Sequence, residues 1–382
     1  MRLPSGRIYL DCNATTPLGA HPAEVLDRVG REAFGNPSSA YEEGRAARAW
    51  LDEARLEVAG LIGCEPEEVI FTASATEALH LALSSAARGA GGRRRVLISA
   101  VEHPAVYDQW RALESMGLSV EEIPVTPRGV VDLGAFESVL SPDVAAVSVL
   151  AAHNETGVLQ PLERVGALCE ASGALFLTDA VQALGKVPSP WRDARPHYLA
   201  AAAHKLYGPK GIGALAARRG APLTPMLLGG GQERGRRSST EAVALAASFG
   251  AACRDAHPRL RDMGGVEALR DRMEATLVSE LGAVVHGAGA PRLPNTSFFS
   301  IPGSPGHAVA QALDEAGVAV STGSACHSGA TVGARVLKAM ATPPELLGSA
   351  LRVSLGRDTD ERDILTFLER LPAALRRAGG SA

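Results

Sequence analysis

Aromatic residues make up only 4% of this 382-residue chain, and tryptophan occurs three times. The core must therefore be built from aliphatic and small side chains, which a hydrophobic content of 46% supplies. Cysteine is scarce as well: Cys12, Cys64, Cys169, Cys253 and Cys326 are odd in number, widely scattered and without a C-x-x-C pair. That pattern excludes a disulfide framework and a structural zinc site, predicts no metal centre, and suits a reducing compartment. Positive charge is not in excess, since 38 Lys and Arg face 42 Asp and Glu for a net charge of −4. A nucleic-acid partner needs an electrostatic footprint that is missing here. The basic runs Arg93-Arg94-Arg95 and Arg234 with Arg236-Arg237 read as solvated loops. No run approaches the ~20 apolar residues of a membrane span. The opening MRLPSGRIYLD has no apolar signal-like segment either. The expectation is a cytoplasmic protein with no membrane and no nucleic-acid partner.

What is present centres on residues 197 to 213, HYLAAAAHKLYGPKGIG. An apolar run from Tyr198 to Ala203 ends at His204-Lys205, and the turn Gly208-Pro209-Lys210-Gly211 follows at once. Desolvation at such a strand end favours the neutral amine, and a neutral amine is what condenses with an aldehyde. On its own such a lysine is more often a snorkelling side chain. A second apolar run, Ala174 to Thr178, ends in Asp179. A carboxylate at one buried strand end, with a lysine at the end of another, is the pair that pyridoxal phosphate (PLP) requires. The acid keeps the pyridine nitrogen protonated and the lysine carries the aldehyde carbon.

At this point the chain resembles the cysteine desulfurase family, fold-type I PLP enzymes of the class V aminotransferase group. The resemblance runs through YLDCNATTP at 9–17, FGNPSS at 34–39, VIFTASATEA at 69–78, EHPAV at 102–106 and HNETGVLQP at 153–161. It continues through TDAVQALGK at 178–186, AHKLYGPKGIGAL at 203–215, LLGGGQERGRRSST at 227–240, STGSACHSG at 321–329 and LRVSLGR at 351–357. One such block carries little weight; the whole series in the family's order is specific. It implies an α/β fold, with a mostly parallel, seven-stranded sheet covered by helices and a smaller α+β C-terminal domain. The expected large PLP-binding domain covers 15–254, and 1–14 with 255–382 form the small one.

The resemblance also distributes roles. Lys205, Cys326 and His103 are the expected catalytic residues, with His103 on the face of the cofactor ring. Ala75, Thr76, Asn154, Asp179, Gln182, His204 and Thr240 are the expected cofactor contacts, Gln182 serving the phenolic oxygen. Asn154, Arg352, Ala14 and Thr15 are expected around the substrate, with Arg352 clamping the α-carboxylate and Arg357 the lesser candidate. The implied reaction takes L-cysteine to L-alanine and leaves a persulfide on Cys326. Gly, Ser and Thr around Cys326 predict an exposed loop, and the resemblance implies that it hands sulfur to an acceptor, either a small iron–sulfur scaffold or a tRNA-thiolation protein. Thr240 implies a homodimer, because its counterpart reaches the neighbouring subunit's cofactor. Selenocysteine lyases share the GGGQER and ACHS blocks, and a non-catalytic binding partner of the same fold is the reading from another class.

The residues between these blocks argue for the same architecture. Ala47, Trp50, Leu51, Ala54, Val58 and Leu61 fall at helical spacing over 42–62, and Gly63 is a stop. Strands are expected at Ile8 to Leu10, Val69 to Thr72, Val96 to Ala100, Val144 to Ala152 and Leu351 to Leu355, and a charged helical pattern at Arg259 to Leu281. Small residues between Thr72 and a helix over 77–87 suit a phosphate at a helix N-terminus. Four positions depart from the family, Ser74 tolerably, in place of a glycine. Ala202 stands where a phosphate-binding Ser is common, a loss of about 1–3 kcal/mol of cofactor affinity. Ser239 replaces a Gly, so the loop backbone is expected to differ. Cys12 replaces Tyr or Asn with no mechanistic reason.

Overall fold

The computed structural model describes residues 1–3, 5–89, 91–260, 262–322 and 335–379. The chain opens with β1 (Ile8–Tyr9) and helices α1 (Ala20–Glu32) and α2 (Glu42–Ile62). Then come β2 (Val69–Thr72), α3 (Ala75–Arg88), β3 (Arg95–Ser99), α4 (Pro104–Tyr107) and α5 (Trp110–Ser115). β4 (Ser119–Ile123), α6 (Leu133–Val139), β5 (Val144–Ser148), α7 (Leu162–Ser172) and β6 (Leu175–Asp179) keep the alternation. β7 (Tyr198–Ala202), β8 (Gly213–Ala217), α8 (Val243–Arg259) and α9 (Met263–Leu281) follow. The last elements are β9 (Val284–Val285), β10 (Thr296–Ser300), α10 (Gly306–Glu315), β11 (Val318–Ala319), α11 (Arg335–Ala339), β12 (Ala350–Ser354) and α12 (Glu361–Arg377).

Seven strands form the main sheet in the order β2-β8-β7-β6-β5-β3-β4. β8 runs antiparallel to both neighbours and the other pairings are parallel, as expected. Both faces of the sheet are buried, and its side chains alternate between two cores. Leu199, Ala201, Ala214 and Ala216 pack with α2, α7 and α8. Tyr198, Ala200, Leu215 and Ala217 pack with α3. β5 is shorter than its apolar run: pairing in register stops at Ser148, although Val149 and Ala151 still donate to Leu177 and Asp179. The chain then turns and carries Asn154 out of the sheet.

α2 spans 42–62 as its pattern predicts, and Gly63 ends it at φ +84, a left-handed cap in which its N–H donates to Ala59. α8 carries buried residues on most of its circumference, so it has no amphipathic stripe to read. It runs unbroken through residues 254 and 255, where a division was expected, and packs along α1 and α2. The contact is close enough that a Cβ on Gly250 would meet the Ala54 Cα at 2.8 Å.

The end segments share a further core. Ile8 and Leu10 pack with Leu277, Phe299, Val353 and Phe367. β1 pairs parallel with β11, and β12-β10-β9 form an antiparallel sheet.

Candidate active site

The strand ends deliver the site. His103 lies just past β3, Asn154 past β5, Asp179 at the last position of β6 and Lys205 in the turn after β7. Crevices beyond the carboxyl ends of such strands, where strand order reverses, are where ligands gather. With Ala75 and Thr76 from the first turn of α3, and with Ala14, Thr15, Gln182, His204 and Arg352, these residues line one cavity of about 580 Å³. Asn13, Ala202 and Lys210 complete the part that matters below.

Lys205 is held by backbone. Its Nζ donates to the carbonyls of Asn13 at 2.6 Å and Ala14 at 2.7 Å. Burial, with the Arg352 charge adding to it, lowers its pKa to about 8. Asp179 is buried and takes a hydrogen bond from the Val181 N–H at 2.9 Å; burial pushes its pKa up against the pull of His103 and Lys205. His103 caps α4, and its Nδ1 accepts the Ala105 N–H at 3.1 Å. A neutral ring therefore carries its proton on Nε2. His204 meets Thr15 Oγ1 at 3.1 Å, and burial lowers its pKa to about 4, so it acts as a neutral ring.

The helix end favours an anion. First-turn N–H groups have no partner inside a helix, and they sit at its positive end. Ser74 Oγ takes the Glu77 N–H, which leaves those of Ala75 and Thr76 at the cavity. Ala202 also lines this space, so carbon stands where the family resemblance led us to expect a hydroxyl.

Arg352 is buried and partly engaged. Nη2 pairs with Asp11 at 2.7 Å, Nη1 donates to the Asn154 carbonyl at 3.0 Å, and Nε is without a partner among the described residues. Arg357 lies over the Tyr207 ring and lines a separate, smaller cavity.

Several functional neighbours were not singled out from the sequence. The Asn13 carbonyl accepts from both Lys205 and Gln182, while its side chain bonds the Asn154 carbonyl and Thr296. Lys186 donates to Gln182, and its spacing of four residues from that glutamine was a readable signal. Glu102 is buried beside His103. Desolvation, with the Asp179 charge adding to it, raises its pKa to about 8, and Oε2 has no partner among the described residues.

Two expected residues are not gathered here. Cys326 lies outside the described residues. Thr240 is exposed and lines a different cavity of about 170 Å³, which shares Ala73, Gly211 and Ile212 with the first.

The glycine-rich loop before Thr240 is exposed over 227–231 and anchored further on at Glu233. Glu233 is buried: it takes Arg55 Nη1 at 2.9 Å and Nη2 at 2.7 Å, and the Phe71 N–H at 3.1 Å. Arg236 donates to Glu67, Val69 and Glu233 carbonyls, and Arg237 pairs with Glu77 at 2.8 Å. Arg234 is exposed as expected, whereas Arg236 and Arg237 are half-buried because Glu67, Val69 and Glu77, far away in sequence, supply acceptors. Ser239 keeps φ +123, a backbone that glycine favours.

A lysine and an acid at neighbouring strand ends, facing a helix N-terminus across a parallel sheet, define a class of fold and site. The aminotransferase class-V model matches residues 8–367, and the chain belongs to that family. Within it the chain is a member of the cysteine desulfurase family. It is 42% identical to a cysteine desulfurase of Cereibacter sphaeroides, over 96% of this chain and 95% of that protein. It is 39% identical to the cysteine desulfurase NifS of Azotobacter vinelandii, over 96% and 92%. Among solved structures a NifS-like protein superposes with a TM-score of 0.91 at 34% identity, over 97% of this chain and 99% of that one.

Proposed function

We propose that the chain is a PLP-dependent cysteine desulfurase that converts L-cysteine to L-alanine and leaves sulfur on Cys326 as a persulfide. One observation carries this reading: a lysine lowered to about 8, a buried aspartate and the N-terminus of α3 meet in a single cavity. The residues present fit the cofactor. An under-solvated carboxylate at Asp179 suits a ring N–H, and the Ala75 and Thr76 N–H groups, the Thr76 hydroxyl and neutral His204 suit a phosphate. Gln182 and Asn154 would hold the ring. When bound, PLP supplies an electron sink for the substrate's α-carbon.

The chain's own groups do the rest. The lowered pKa of Lys205 brings its free amine within reach near neutral pH, so Nζ can hold the cofactor's carbonyl carbon and move protons. His103 offers a proton at Nε2. Arg352, Asn154, Ala14 and Thr15 orient the substrate, the guanidinium binding its carboxylate. The Cys326 thiolate attacks the substrate's sulfur: an S–S bond forms and the C–S bond breaks. The C–S electron pair stays on carbon, which takes a proton to become the methyl group of alanine. The persulfide then passes to the thiol of an acceptor protein, an iron–sulfur scaffold or a tRNA-thiolation enzyme. We infer a cytoplasmic homodimer in which Thr240 serves the partner subunit's cofactor. No helix among the described residues is long and apolar enough to cross a membrane.

The test is release of sulfide and alanine from L-cysteine, with PLP and a reducing thiol, by the unmutated chain and by Cys326→Ala. Equal release that disappears in the variant is expected. Retained activity in the variant, or no alanine at all, would sink the assignment. Turnover of selenocysteine relative to cysteine separates the lyase.

A further inference from the structure

Lys186 is 9% exposed and has no step in the reaction as described. Its Nζ donates to the Gln182 carbonyl at 3.1 Å and to Gln182 Oε1 at 2.8 Å. The charged amine only donates, and on the other side the Asn13 carbonyl only accepts, so both contacts give the amide the same orientation, oxygen toward Lys186. This settles which way round the Gln182 carboxamide stands. Its Nε2 turns to the Asn13 carbonyl at 2.9 Å, and the second N–H is left for the cavity that Gln182 lines. The same Asn13 carbonyl holds Lys205 Nζ at 2.6 Å, so one short chain of contacts links Lys186 to the reactive amine.

The placement of Lys186 is costly. Among the described residues it makes no ion pair with a carboxylate. Burial, with Lys205's charge adding to it, lowers its pKa to about 7. A methionine would fill the space without that cost. Lys186 and Lys205 also line a cavity of about 60 Å³ together with Cys12 and Tyr207, too small for the cofactor and outside the main site.

We propose that Lys186 is a positioning residue: by fixing the Gln182 carboxamide it determines that a donor, not an acceptor, is presented to the cofactor's ring oxygen. The inference rests on the reading that the cavity takes PLP with Gln182 at that oxygen. A donor favours the anionic form of the oxygen, and a carboxamide held by the Asn13 carbonyl alone would present that donor less firmly. The Lys186 charge also reaches Lys205 and His204, and the Gln182→Ala background separates that effect from the one through Gln182.

The experiment compares the unmutated chain with Lys186→Met, Lys186→Gln and Lys186→Arg, each with Gln182 intact and with Gln182→Ala. Two quantities are read: the PLP dissociation constant by titration of the apoprotein, and the pH midpoint of the bound cofactor's visible absorbance. Methionine offers no donor, and glutamine can meet Gln182 either way round. Both variants should raise the dissociation constant about tenfold and move the midpoint upward. Lys186→Arg, which again has only donors, should keep the midpoint. In the Gln182→Ala background none of the three should add a further shift. If the Met variant does not fold, the Gln variant carries the same comparison. Equal shifts in both backgrounds, or an unmoved midpoint in the Met and Gln variants, would overturn the inference while leaving the proposed function intact. Failure of the unmutated chain to take up PLP would overturn both.

Discussion

The Arg55–Glu233 pair and the groups around Lys205 are both buried, yet only the first is bonded on both carboxylate oxygens. Glu233 receives two guanidinium N–H groups and a backbone N–H, and Arg55 has the Val69 carbonyl as well. At the cavity, Lys205 rests on carbonyls, Lys186 on an amide, and Glu102 keeps one oxygen without a partner among the described residues. Desolvation is answered in the clamp and left partly unanswered in the site. The pKa values of Lys205, Lys186 and Glu102 are displaced accordingly, toward about 8, 7 and 8. The lesson is that burial of charge by itself says little, whereas burial with missing partners marks where chemistry is done.

The comparison breaks most visibly at the clamp. Glu233→Ala strands a buried guanidinium and should cost about 3–5 kcal/mol in denaturant unfolding. Arg55→Met with Glu233→Met should lose much less. A double variant as unstable as the single one would mean that the ionic bonding is not what holds the loop.

Glu102 sharpens the other side. Its folded pKa of about 8 lies above the ordinary 4.5, so the folded state binds this proton more tightly than the unfolded chain does. That contribution to stability is complete below pH 4.5 and is lost as pH rises toward 8. Glu102→Gln imitates the protonated acid. Urea unfolding should show little change at pH 5 and a gain of roughly 1–3 kcal/mol at pH 8. A curve parallel to that of the unmutated chain would count against the displaced pKa. The smallest effect belongs to Ser239, whose φ of +123 is relieved in Ser239→Gly. A gain of about 1 kcal/mol in thermal unfolding is expected, and no gain would mean that the loop accommodates serine freely.

Local pattern carried most of the architecture. Strand ends, the α2 stripe and the Gly63 stop are set by residues within a few positions of one another, so they are legible in sequence. α8 was not, because a helix buried nearly all round has no period to detect. The anchors of the site divide the same way. Lys205 and Asp179 stand at the ends of apolar runs and could be picked out, whereas His103 was named only through the family resemblance. Asn13 could not, since its partners at 154, 182, 205, 295, 296 and 354 converge only in space. Glu233 and Arg55 are 178 positions apart, and nothing short-range foretells their meeting.

Asn13 also sets an order of events for a ribosome. Its N–H is held by the Ser354 hydroxyl, 341 positions later. The carbonyl that steadies Lys205 is thus fixed by a strand that leaves the exit tunnel long after it. Contacts of such separation form late. During synthesis the main sheet can assemble and the lysine can be present, but the amine is without its final support until Ser354 has been made.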